Sequence, residues 1–190
     1  MNLYRNALFL GSLLFLVLAP LTSSATTVRS LSTSDMVREA AICVRGKVLA
    51  RTGTWSPDKS AIYTDTRIAI QSIIVGRTRN KALTVRQLGG VVGKVEMGVV
   101  GTAPMRVGEE VLLFLRTDGQ FHYVVGMVQG KYSVIQRNGK TIVTRDLAGV
   151  HQIHRTQRVG IHRPLKNTRT TLRFDAFTRE LRAIAKSMGK

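Results

Sequence analysis

Four histidines, a single cysteine and eleven acids carry most of the reactive chemistry available to this 190-residue chain. Three of the histidines, His151, His154 and His162, gather near Asp146. Zinc requires three or four ligands held by ordered structure, with the far ring nitrogens pinned by further hydrogen bonds. These histidines stand among Arg155, Arg158 and Arg163, whose charge opposes a dication, so neither a metal nor a cofactor is expected. Gly89-Gly90-Val91-Val92-Gly93 invites a phosphate-loop reading, which needs a strand, a tight glycine turn and a following helix N-terminus. Strand signals lie on both sides and no helix follows, so these glycines are expected to bend a barrel. Glu109 and Glu110 are adjacent at a strand start and are expected to be solvated. Cys43, inside Ala40-Ala41-Ile42-Cys43-Val44, reads as a small buried hydrophobe. No Gly-x-Ser-x-Gly, no His-Glu-x-x-His and no acid pair at a catalytic spacing occurs. Nucleophile, base and oxyanion donors cannot be assembled by name, and the expectation is a protein that is not an enzyme.

Binding chemistry is better represented. The chain has 29 Lys and Arg against 11 Asp and Glu, a formal charge of +18, which attracts polyanions. Residues 151–190 carry ten of the basic residues and two of the acidic ones. Arg155, Arg158, Arg163, Lys166 and Arg169 are the candidate polyanion contacts. Nucleic acid would need base-stacking aromatics in a basic groove; Tyr63, Phe121, Tyr123 and Tyr132, with Arg45, Lys47 and Arg67, could supply one. With 6% aromatic residues, these are expected to serve the core instead. Phe174, Phe177, Leu181, Ile184 and Met188 recur at three- and four-residue steps and mark one face of a helix, with Arg179, Arg182 and Lys186 opposite. That stripe has two uses: packing on the body of the protein, which is expected, or docking a partner or a membrane surface. Its cap could be Thr171 or Asp175.

The elements that would position these groups are mostly strands. Residues 1–25 run from Arg5 through an apolar stretch, Ala7 to Ala19, to Pro20 and small residues up to Ala25, the order of a secretory signal peptide. Export to the periplasm or beyond is the expectation, with cleavage near Ala25. One cysteine forbids an intramolecular disulfide. Ser32 to Glu39 reads as a short helix with a capping box from Ser32 to Asp35. Ile42, Val44, Gly46 and Val48 alternate with Cys43, Arg45 and Lys47, the period of a half-buried strand. Further strands are expected at Ile62 to Val75, Leu83 to Leu88, Val91 to Val100, Val111 to Leu115, Phe121 to Val128, Tyr132 to Ile135 and Thr141 to Thr144. Thr117-Asp118-Gly119-Gln120 and Asn138-Gly139 are the hairpin turns. The fold class is mainly β: a small OB-like antiparallel barrel over 26–150, with a short N-terminal helix. Residues 151–190 follow as a basic linker (His151 to Arg169) and a C-terminal amphipathic helix.

Val44-Arg45-Gly46-Lys47-Val48, Tyr63-Thr64-Asp65-Thr66-Arg67-Ile68-Ala69-Ile70, Val85-Arg86-Gln87-Leu88-Gly89-Gly90, the stretch Val107 to Leu115 and the stretch Val124 to Tyr132 form a series. Together they resemble a group of exported bacterial proteins whose strand order is similar to the netrin-like domain of tissue inhibitors of metalloproteinases, an OB-type barrel. The resemblance spans about Ser34 to Ile135 and implies a binding module. Inhibitors of that family reach a catalytic zinc through a cysteine at the mature N-terminus. The expected mature start here, Thr26-Thr27-Val28, has none, so no inhibitory residue carries over. The expected function is an exported, non-catalytic module that binds a protein partner, with protease association among the options. The rival is a polyanion binder acting through its basic surface on nucleic acid, acidic polysaccharide or anionic lipid.

Overall fold

The computed structural model describes residues 27–148, 151–153 and 169–190. The expected signal segment, and His154, Arg155, Arg158, His162, Arg163 and Lys166, lie outside the described residues. In chain order the elements begin with β1 (Thr27–Arg29), α1 (Thr33–Glu39), β2 (Ile42–Trp55), β3 (Ile62–Val75), β4 (Ala82–Leu88), β5 (Gly90–Val92) and β6 (Val95–Met97). They continue with β7 (Glu110–Thr117), β8 (His122–Val124), β9 (Lys131–Arg137), β10 (Lys140–Asp146), β11 (His151–Ile153), β12 (Arg169–Arg173) and α2 (Phe174–Ser187).

Five strands close a barrel. β7 pairs with β2, β2 with β3, β3 with β4, β4 with β8, and β8 returns to β7. The closing contact between β4 and β8 is parallel, through Val85 and His122, whereas the others in the ring are antiparallel. The barrel is therefore OB-like, as the strand pattern predicts. The long β2–β3 pair bends at three register shifts, the device that lets a sheet curl on itself. At Gly46 a Cβ would stand 2.5 Å from Ile68 Cγ2 and 2.6 Å from the Ala69 carbonyl, so only glycine permits this approach. Val44, Val48, Ile68, Val85, Val111, Leu113 and Leu115 fill the interior.

Beyond β7 the same sheet continues outward as β9, β10 and β12. One side is covered. Phe177 and Leu181 of α2 pack with Leu112, Phe114, Tyr132, Val134 and Val143, and Met36 and Val37 of α1 join the same cluster. Phe114, Tyr132 and Phe177 meet in tilted and edge-on pairs with centroids 5.0–6.5 Å apart, the arrangement aromatic quadrupoles favour. Phe177 is 2% exposed. The stripe offered above for docking is thus occupied by the protein's own strands. Cys43 is buried in this outer cluster, and burial pushes its thiol pKa up, against nucleophilic use.

Several local expectations hold. Ser32 accepts from the Asp35 N–H and Asp35 accepts from the Ser32 N–H, a complete capping box. Asn138 and Gly139, both at positive φ, turn β9 into β10. Others are corrected. Val91 to Val100 is not one strand but the β5–β6 hairpin followed by turns. The strand expected at Phe121 to Val128 stops at Val124, because Gly126 takes a left-handed conformation and Met127–Gly130 forms a 3-10 turn. That turn buries Gln129, whose side chain accepts from the Leu31 N–H and donates to the Arg29 carbonyl, tying down the N-terminal segment. The stretch expected as linker contains β11, which runs parallel to β1, and its last residue, Arg169, opens β12 against β10. Neither Thr171 nor Asp175 caps α2. Thr171 is paired in the ladder with Thr144, and the N-cap is Arg173 without a side-chain bond. Asp175 sits in the first turn, gripped by the Arg173 guanidinium, where negative charge suits the helix dipole.

Candidate binding cleft and sheet groove

Successive residues of a strand face opposite ways. The β7 side chains that fill the barrel, Val111 and Leu113, therefore share a face with Ser133 and Lys131 of β9, their register partners. Past the barrel this face meets no helix among the described residues. It emerges as a groove of about 430 Å³ whose walls include Lys131, Ser133, Ile135 and Arg137 of β9, Ile142, Thr144 and Asp146 of β10, and Arg169 and Thr171 of β12. Across the segment Pro104–Arg106 lies a second hollow of about 560 Å³ at the barrel end. Pro104 and Arg106 line both. The two hollows are neighbours on one surface.

The barrel-end cleft is built by the glycine run. Gly90 holds φ +141°, and a Cβ there would stand 2.1 Å from Thr64 Oγ1. Thr64 in turn donates to the Gly89 carbonyl at 2.7 Å. The chain can fold across the barrel mouth only because these residues have no side chain, so the bend expected for them is what the structure shows. Leu88, Val91, Met97, Val99 and Met105 make the cleft apolar, and Arg51, Gln87, Glu96 and Arg106 give it polar points. Its edge is unusually greasy. Leu88 and Val91, which line it, are 41% and 54% exposed, and Leu49, Trp55, Val95, Val100 and Val107 are exposed close by in sequence to lining residues. Exposed apolar side chains gathered at one place mark an interaction surface more often than chance.

The groove floor is electrostatic. Lys131 Nζ donates to Glu109 Oε1 at 2.5 Å and to Ser133 Oγ at 2.8 Å, and Ser133 Oγ donates to the same carboxylate at 2.6 Å. Burial alone would raise the Glu109 pKa, but the hydrogen bonds from Lys131 and Ser133 outweigh it and hold the carboxyl below its ordinary value. Glu109 is therefore an ionised partner of Lys131, not a solvated side chain as expected from sequence. Glu110 is likewise engaged, by Arg45 at 2.6 Å and by Gln71, and the Arg45 hydrogen bond lowers its pKa. Ser133 beside Lys131 has the composition of a nucleophile and base, yet Ser133 Oγ accepts from Lys131 and gives its own proton to Glu109, so the hydroxyl is held between the two and not aimed at the amine.

Of the candidate polyanion contacts, only Arg169 lies among the described residues. It lines the groove and donates to Asp146 at 3.1 Å. Arg51, Arg106 and Arg137 make no ion pair with a described residue. None of these three stood out in the sequence, because nothing local announces that strands far apart in the chain will place them around two adjoining hollows. The aromatic set is divided. Tyr132 is in the core, where burial pushes its phenol up to about 12. Phe121 and Tyr63 flank the Arg86 guanidinium, which is held by both oxygens of Asp65. Tyr123 lies under Arg116 and donates to Asp118. These rings stack on the protein's own arginines. Among the described residues no three His, Cys, Asp or Glu side chains converge as a metal site would require. No family model, no curated protein and no solved structure matches the chain.

Proposed function

We propose that this protein is an exported binding module, without catalytic chemistry of its own, that receives a segment of another protein across the barrel-end cleft and the sheet groove. One observation carries the reading: two exposed apolar side chains, Leu88 and Val91, line a concave cleft together with Met97 and Val99. Export is part of the proposal and rests on the order of charge, apolar run and small residues in the first 25 positions. Kinship with netrin-like barrels is also part of it, supported by the short motifs quoted above and by the OB-like closure. The test is capture from an envelope extract by the immobilised chain, compared with Leu88→Asp and Val91→Asp variants. Saturable recovery of a defined protein, lost in the variants at unchanged melting temperature, is expected. Equal recovery by all three chains would remove the cleft from the account. Export is checked by cell fractionation and N-terminal sequencing, with a mature start near Thr26 expected.

A second reading has its own support. The +18 charge, and Arg106 and Arg137 without an ion pair among the described residues, favour polyanion binding. Affinity for heparin that falls steeply with salt follows from charge alone; saturable binding that persists at physiological salt would favour this reading over the first.

A further inference from the structure

We infer that the segment received is an extended acidic peptide, which seats apolar side chains in the barrel-end cleft and, past Arg106, lays carboxylates along the groove. This rests on the protein-binding reading above and names the chemistry of the partner. The groove runs along β9 from Lys131 to Arg137, about 20 Å at the rise of a strand, the span of roughly six extended residues. Its charges are unevenly satisfied. Glu109 is neutralised by Lys131 and Asp146 takes Arg169. Arg106 and Arg137 have no such partner among the described residues. Arg106 belongs to the Lys131 end, because its N–H donates to the Glu109 carboxylate that Lys131 also holds. Arg137 is at the other end, paired with Lys140 next to the β9–β10 turn. Two unspent guanidiniums therefore bracket the groove, and a guanidinium fork matches a carboxylate in plane and spacing. Between them lie Ile135 and its register partner Ile142, which suit a short apolar or neutral stretch.

The cleft decides between a protein segment and a simple polyanion. Sulfated sugar or phosphate chains would satisfy the arginines but leave Leu88, Val91 and Met97 without a partner. A peptide can offer both chemistries in one chain. Met97, the accessible methionine lining the cleft, adapts to side chains of different shape, which fits recognition of a pattern more than of one residue.

The experiment selects binders from displayed random peptides of roughly twelve residues on the immobilised full chain at physiological salt. The enriched peptides are then titrated against wild type, Arg106→Glu, Arg137→Glu and Val91→Asp by fluorescence anisotropy. Melting temperatures and circular dichroism confirm that each variant is folded. Enrichment of peptides with apolar residues followed by Asp or Glu is expected. Each arginine reversal should weaken binding by about tenfold or more, and peptides with Lys in place of the acids should regain affinity for the reversed variants. Peptides that bind without acidic residues, or that ignore both reversals, would overturn this inference while leaving the protein-binding reading intact. Failure to enrich any peptide would overturn both. Acidic peptides stripped of apolar residues that bind as well as the parent, and are displaced by heparin fragments at equal charge, would make the occupant a polyanion and overturn the inference.

Discussion

The two faces of the β7–β9–β10 sheet are made by alternate residues of the same strands, yet they meet opposite fates. Tyr132 and Val134 face α2 and are buried, whereas Ser133, Ile135 and Arg137 face the open groove. Local β propensity cannot separate these positions, since both sets belong to well-formed ladders. What separates them is α2, whose apolar stripe covers one face and leaves the other to solvent. The helix thereby fixes which half of a two-faced sheet is core and which is available to a partner.

Removing the cover should have the largest effect. Phe177→Ala takes a ring from the contact with Phe114 and Tyr132 and should cost about 3–5 kcal/mol, read as a drop in the denaturation midpoint. An unchanged midpoint would mean that α2 does not hold this face in solution. The groove floor comes next. Lys131→Ala strips Glu109 of its charged partner in a mostly buried position and should cost about 2 kcal/mol. Smaller still is the tether between the helices. Lys190 Nζ donates to the carbonyls of Val37, Arg38 and Ala40 at the end of α1, and Lys190→Met should cost about 1 kcal/mol. Arg137→Ala, on the open face, should change stability by less than about 0.5 kcal/mol.

Acid sharpens the same contrast. The folded-state pKa values of Glu109 and Glu110 lie below their ordinary values, so the native state favours the ionised carboxylates. Their contribution is complete above the unfolded glutamate pKa near about 4.3 and is lost as pH falls through the lower folded values. The melting temperature should therefore hold between about pH 7 and 5 and decline below about pH 4. Glu109→Gln should start lower and decline less steeply over that acid range.

Much of this architecture is legible in the sequence where the signal is local. The capping box at Ser32 and Asp35, the Asn138-Gly139 turn and the stripe from Phe174 to Met188 each lie within a few residues, and each predicts its element. The alternation at Ile42 to Val48 and the glycine at 46 also point to a curled sheet. The candidate site was not legible, because its parts are joined only by the fold. Glu109 and Lys131 are 22 positions apart, and Arg106 acquires meaning only when the 104–106 segment stands between two hollows. Gln129 falls between two expected strands and carries no local signal, because its role depends on an N-terminal segment 98 positions away. Arg169 was singled out for its charge, and the structure adds the groove beside it.

The most direct test of the two-faced sheet is a scan along β9 that records melting temperature and partner capture for each variant. Tyr132→Ala and Val134→Ala are expected to lower the melting temperature by several degrees, because both side chains lie under α2. Ile135→Ala and Arg137→Ala are expected to leave it nearly unchanged and to reduce capture sharply. Melting losses of similar size at all four positions, or capture that survives both open-face substitutions, would contradict the division of this sheet into a core face and a binding face.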